Sequence, residues 1–189
     1  MGQSDDLYIQ GIRKNKTRSL GYVAEEIRTN MEVFVLTDAE LQKLIDTPKK
    51  MSTKGLKKLL ERKVENAYKR SDIELSSETE HSFYLRIRES LDDPTDYSAI
   101  LSVKLKSGET FNLVRCNGSS HSHKNRIEKT KLFGTHIHVA TERYIEMGYQ
   151  SEAFAEESAE YNNINEAIEC LMKITNITYK QTDENATLF

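Results

Sequence analysis

Phe83-Tyr84-Leu85-Arg86-Ile87-Arg88 sets apolar residues at every second position, with Tyr84, Arg86 and Arg88 between them. Side chains of a strand point alternately to opposite faces, so this period of two predicts a strand with one face on a core. Downstream, Ala99-Ile100-Leu101-Ser102-Val103-Lys104-Leu105 reads as a second strand and Thr110-Phe111-Asn112-Leu113-Val114-Arg115-Cys116 as a third. Lys106-Ser107-Gly108-Glu109 joins them with hairpin-turn composition, and Asp92-Asp93-Pro94 marks the preceding turn. Strands in series with short turns predict an antiparallel sheet.

On either side the period lengthens to that of helices. Leu20, Val23 and Ile27 have helical spacing. Thr37-Asp38-Ala39-Glu40 has the form of a capping box and opens a helix through Leu41, Leu44 and Ile45, which Pro48 ends. Ser52 or Thr53 caps another through Leu56, Leu59, Leu60, Val64 and Ala67, with Lys57, Lys58, Arg62 and Lys63 outside. Such a basic amphipathic helix either lies on nucleic acid or carries its charges in water. After the third strand, Ser119 to Lys131 is polar and loop-like, Thr135 to Tyr144 is β-prone, and Ser151 to Tyr161 is acidic. Asn163 or Asn165 caps a last helix through Ala167, Ile168, Leu171 and Met172. The expected class is α+β: an antiparallel sheet packed by helices, with a mainly helical N-terminal region. The expected organisation is a helical region over 1–75, an α+β domain over 76–180 and a flexible tail over 181–189.

The chain has 189 residues, 37% hydrophobic and 30% charged, and a formal net charge of −3. That suits one sizeable core and excludes a globally basic polyanion binder. Charge is uneven, however. Lys104, Lys106, Arg115, Lys124, Arg126, Lys129 and Lys131 outnumber Glu109 and Glu128, whereas the stretch from Glu142 to Glu169 is acidic. Cys116 and Cys170 make no disulfide framework and no zinc knuckle. The polar N-terminus lacks an apolar stretch of signal-peptide length, and no apolar run could span a bilayer; the expected location is cytoplasmic, without a membrane.

Four of the five histidines form two His-x-His pairs, His121/His123 and His136/His138. Imidazole exchanges protons near neutral pH and is the commonest metal ligand. On a strand, His136 and His138 share a face while Ile137 and Val139 face the core. The connection is short enough to be a long hairpin loop, so the two pairs can meet, with Arg115 near the same edge. One imidazole would take a proton from a ribose 2′-hydroxyl and another would protonate the leaving oxygen, with cations holding the phosphoryl group. The candidate catalytic residues are His121, His136, His138 and His123. Arg115, Lys124 and Arg126 are candidates for phosphate and Tyr144 for stacking on a base. No cofactor is required by this chemistry. The metal alternative takes His136, His138 and Glu142 as ligands of a divalent ion.

From Glu32 onward the chain resembles a family of uncharacterised bacterial and phage proteins. The likeness rests on Leu36-Thr37-Asp38-Ala39-Glu40-Leu41-Gln42-Lys43-Leu44, Pro48-Lys49, Leu113-Val114-Arg115, Asn117-Gly118, His121-x-His123, His136-Ile137-His138 and Ile174-Thr175-Asn176-Ile177. Many relatives carry Asn at the second histidine of the first pair, which implies His121, His136 and His138 as the central trio. The middle of the chain is also similar to ribonuclease toxins of the TumE kind, and phage origin would suit an anti-CRISPR protein. Gly134, His136-x-His138, Glu142 and Gly148 resemble the first cupin motif, but the second is absent.

The resemblances and the histidines together lead to an expected phage or mobile-element protein that processes or cleaves RNA, a metal-independent ribonuclease of toxin or anti-CRISPR type. Its partners would be RNA or a ribonucleoprotein, with an antitoxin or CRISPR effector as protein partner and a homodimer as a compatible assembly. The alternatives are a non-catalytic inhibitor bound to a nucleoprotein such as a CRISPR effector, and the divalent-metal site.

Overall fold

The computed structural model describes residues 35–179. The expected helical spacing of Leu20, Val23 and Ile27 and the expected tail over 181–189 lie outside the described residues. Helix α1 (Asp38–Asp46) starts as the capping box requires: Thr37 Oγ1 accepts from the Glu40 amide at 3.3 Å, and Glu40 Oε2 accepts from the Thr37 amide at 2.9 Å. It buries Leu41, Leu44 and Ile45 and stops just before Pro48.

Strand β1 (Lys49–Met51) follows, then α2 (Thr53–Leu60), capped by Ser52 Oγ on the Gly55 amide at 3.1 Å. The helix expected through Ala67 ends at Leu60. Instead β2 (Lys63–Glu65) and β3 (Tyr68–Leu75) form a hairpin turned at Asn66, whose φ is 55°. Asparagine tolerates that left-handed conformation, which closes tight hairpins. Val64, which completed the helical spacing, is 61% exposed, so the apolar face it implied does not exist.

The sheet continues with β4 (Ser82–Ser90), β5 (Tyr97–Lys104) and β6 (Thr110–Asn117), joined by antiparallel pairing and by a turn with Gly108 at φ 112°. Two short strands, β7 (His123–Lys124) and β8 (Lys131–Leu132), pair with each other inside the loop that follows. Strand β9 (His136–Val139) returns beside β6. The region to Tyr144 is not all strand: α3 (Glu142–Glu146) follows. Strand β10 (Phe154–Glu157), from the acidic segment, then pairs with β9. The main sheet is therefore seven antiparallel strands in the order β10-β9-β6-β5-β4-β3-β2.

Helix α4 (Ile164–Ile174) is capped by Asn163, whose Oδ1 accepts from the Asn165 and Glu166 amides at 3.0 Å each. It packs its apolar face on β5 and β6. Phe83, Leu85, Ile87, Ala99, Leu101, Val103, Val114 and Cys116 make the sheet side of the core. Strand β11 (Ile177–Tyr179) pairs in parallel with β1, a contact across most of the chain.

Lys49 ties these ends together. Fully buried, its ammonium donates to the carbonyls of Ile45 at 2.9 Å, Thr47 at 2.6 Å and Thr175 at 3.1 Å, at the C-terminal ends of α1 and α4. Helix C-termini favour a cation, and a buried acceptor left unmet is costly. Lys49→Met keeps the stem but removes all three donations. Urea denaturation should record a loss of about 3 kcal/mol; a loss under about 1 kcal/mol would mean that the carbonyls find water instead.

Candidate functional site

Pairing across the sheet places one side chain per strand in rows along the face opposite α4. One row is Lys63, Arg70, Arg88, Ser98, Asn117 and His136. The next is Asp72, Arg86, Ile100, Arg115 and His138. The first row starts among cations and the second at the Asp72–Arg86 pair, and both end at an imidazole. A groove of about 910 Å³ follows them, from α2 and β2 to His121, His123 and His138. Its cations are Lys54, Lys57, Lys58, Lys63, Arg70, Arg86, Arg88 and Arg115, against the acids Glu61, Glu65 and Asp72. So a chain of formal charge −3 carries a locally positive trough.

At the histidine end, β9 places His136 and His138 on one face, 0% and 1% exposed. The loop from β6 folds back over them. It can leave β6 because Gly118 lacks a Cβ, which would stand 2.0 Å from the Thr95 carbonyl oxygen. Asn125 then pins the loop to β10: its Nδ2 donates to the Ala155 carbonyl at 2.8 Å and its Oδ1 accepts from the Ala155 amide at 2.9 Å. His123 is thereby brought over the pair. Ring centroids are 4.6 Å apart for His123 and His138, 4.9 Å for His136 and His138, and 5.6 Å for His123 and His136. His121 is exposed, its ring 5.7 Å from that of His136.

The proton positions follow from the partners. His136 Nδ1 meets the Gly134 carbonyl at 2.8 Å, His138 Nδ1 the Glu152 carbonyl at 2.9 Å, and His123 Nε2 the Ala153 carbonyl at 2.9 Å. A carbonyl only accepts, so each of those nitrogens carries the hydrogen and leaves the other with a lone pair. Burial, then the guanidinium of Arg115 and the neighbouring imidazoles, hold the pKa of His138 down to about 2. Burial lowers that of His136 as well, against the Gly134 carbonyl, which raises it. Both rings are neutral at neutral pH, which suits lone-pair donation better than the proton-donating half of the acid–base work expected of the cluster.

Arg115 stands beside His138 in the pairing of β6 with β9 and is 3.7 Å from Glu152 Oε1. Glu152, 2% exposed, also accepts from Asn112 Nδ2 at 2.9 Å. Glu152 thus holds both a cation and, through its backbone, a histidine; in the sequence it was one acid among several. Asn125 likewise gave no signal, and Asn117 stood out only as a turn residue and as part of the Asn117-Gly118 motif of the family likeness.

Other expected residues lie elsewhere. Lys124 and Arg126 are exposed and do not line the groove; β alternation turns Lys124 away from His123, and Arg126 sits over the Tyr149 ring at 5.4 Å. Tyr144 is 0% exposed and does not stand free for base stacking. Its hydroxyl donates to Glu128 at 2.6 Å and accepts from the Ile127 amide at 3.3 Å, bracing the loop. Glu142 does not join His136 and His138: it exchanges hydrogen bonds with Asp38, at 2.8 and 3.1 Å, against α1. Its place is taken by His123, since one ring nitrogen from each of His123, His136 and His138 lies within 4.8 Å of the other two.

A family of unknown function, DUF6978, matches residues 36–178, so the chain belongs to that family. No curated protein and no solved structure matches it. Among the described residues, no helix is long and apolar enough to cross a membrane.

Proposed function

We propose that this member of the family binds single-stranded RNA along the basic face of its sheet and processes it at the histidine end. The observation that carries the reading is the pair of cross-strand rows, in which Arg70, Arg86, Arg88 and Arg115 lead to His136 and His138. Neighbouring strands are about 4.8 Å apart, so the rows from β2 to β9 run roughly 24 Å, room for several phosphates. Guanidinium groups grip phosphate oxygens in pairs, and their summed field concentrates a polyanion in the groove.

A single strand fits better than a duplex. Tyr68 and Tyr84 are half-buried on the same face, beneath guanidinium groups: Arg88 lies 4.5 Å from the Tyr68 centroid and Arg86 5.7 Å from that of Tyr84. Unstacked bases lie on such aromatic and guanidinium planes, which a paired helix hides from them. At the far end the solvent-open imidazole of His121 is the group placed to exchange protons with a bound strand, while buried His138 stays neutral.

The test is a 15-nucleotide fluorescent RNA, presented as a single strand and as a duplex, with and without EDTA. The expected result is saturable single-strand binding that weakens steeply with salt, duplex binding at least about tenfold weaker, and product bands that His121→Ala reduces. Equal affinity for the two forms would sink the single-strand reading, and intact RNA under every condition would sink processing.

A further inference from the structure

We propose that His123, His136 and His138 form a binding site for one divalent transition-metal ion of the zinc class. The geometry stands apart from the RNA reading, because it concerns the imidazoles alone. Strand β9 fixes two rings on one face, and the loop pinned by Asn125 delivers the third. One nitrogen of each ring lies within 4.8 Å of the other two. Nitrogens about 2.0–2.1 Å from a tetrahedral ion stand roughly 3.3 Å apart, so modest ring rotation closes the site.

The hydrogen-bond inventory points the same way. Each ring spends its N–H on a backbone carbonyl: His136 on Gly134, His138 on Glu152, His123 on Ala153. That is the outer contact which metal-bound histidines make almost always, because it fixes the tautomer and aims the bare nitrogen. Each of the three rings then has one lone-pair nitrogen left for an ion. Among the described residues the Asn117 amide meets two of them, at 3.2 Å from His138 Nε2 and 3.5 Å from His136 Nε2, both long. An ion among them would satisfy all three lone pairs at once.

The donor set selects the ion. Three imidazoles and no carboxylate suit zinc, copper, nickel or cobalt, and not magnesium or calcium, which take oxygen. The adjacent Arg115 would repel a cation, but it is paired with the buried Glu152 carboxylate. Three protein ligands leave a fourth position for water or a ligand, and two of the three, His123 and His138, line the groove.

The full chain, treated with chelator and dialysed, is titrated with zinc chloride against a chromophoric competitor. Histidine side-chain nitrogens are followed by NMR in a parallel titration. The expected result is one ion per chain, with micromolar or tighter affinity. His123 Nδ1 and the Nε2 of His136 and His138 should shift, and His81 should stay unmoved. His123→Ala, at a half-buried position, should weaken binding about a hundredfold or more, with an unchanged melting curve of the apo protein as the check on folding. Lys124→Ala should leave it within threefold. Absence of binding below 1 mM zinc, unshifted histidine resonances, or equal affinity in His123→Ala would each overturn the site. RNA plays no part in these readouts, so the site and the RNA reading fail independently.

Discussion

Between pH 6.5 and pH 4 the metal-free protein should lose about 3 kcal/mol of folding stability through His138 alone. In the unfolded chain a histidine takes up its proton near pH 6.5. In the folded chain His138 is 1% exposed, and burial together with Arg115 holds its pKa at about 2. Across that interval the unfolded state binds the extra proton and the folded state does not, so stability falls as pH falls. It is fully present above pH 6.5 and drains away down to about pH 2. Two and a half pH units at about 1.4 kcal/mol each give the figure. His136, also lowered, pulls in the same direction. Carboxylates held low in the fold, such as Asp93, add to acid sensitivity, so the measurement is a difference. Urea curves at pH 7, 5.5 and 4 are compared for the wild type and His138→Gln. The variant should be less stable at pH 7 and lose stability more gently with acid. Parallel curves would mean that His138 charges in place, and the buried neutral ring would have to be abandoned.

How much of this was legible in the sequence depended on where each residue's constraint comes from. Strand β4 announced itself because one face lies on the core and the other does not, so the two faces differ in chemistry; β5, buried on both faces, and β6 were legible as short apolar, β-branched runs between turns. The α1 capping box and the Asn163 cap were legible because capping is local. Strand β2 was not: all its residues are exposed, so no alternation marks it, and Val64 was credited to a helix it does not join. Strand β10 hides in an acidic segment since only Ala155 is fully buried. Contacts between distant segments, such as β1 with β11, leave no periodic trace at all.

The site divides the same way. His136 and His138 share a face by strand geometry, and a long hairpin return from β6 to β9 was readable from loop length. The identity of the third partner was not. Glu142 lies four residues beyond His138 in sequence, yet α3 turns it toward Asp38, while His123 reaches the pair because Asn125 pins its loop to Ala155. Of the three expected cations Arg115 lines the groove beside His138, and the other two were misplaced for a related reason. A basic run along the chain suggested Lys124 and Arg126, but a sheet assembles its charged face from separate strands: Lys63 comes from β2, Arg70 from β3, Arg86 and Arg88 from β4 and Arg115 from β6.

That difference yields the sharper of the RNA predictions. Arg70→Gln/Arg86→Gln should weaken single-stranded RNA about 25-fold at 0.1 M salt. Each phosphate contact to a single strand releases about 0.7 of a counterion, worth roughly 0.7 log unit at that concentration, and two contacts are removed. The slope of log affinity against log salt should shrink by about 1.4. Arg70 is exposed and Arg86 half-exposed; their contacts are with the rings of Tyr68 and Tyr84 and, for Arg86, a solvent-open ion pair with Asp72 at 3.5 Å, so folding should hold. Glutamine retains hydrogen bonding and removes charge, which separates electrostatic grip from surface shape. Lys124→Gln/Arg126→Gln removes the same formal charge from the loop, outside the groove. Mobile salt screens a charge outside the binding track, with a Debye length of about 10 Å at 0.1 M, so this pair should change affinity less than about threefold. Fluorescence anisotropy across a salt series measures both. If the loop pair costs more than the sheet pair, RNA runs along the histidine loop, and the sheet face is not its track.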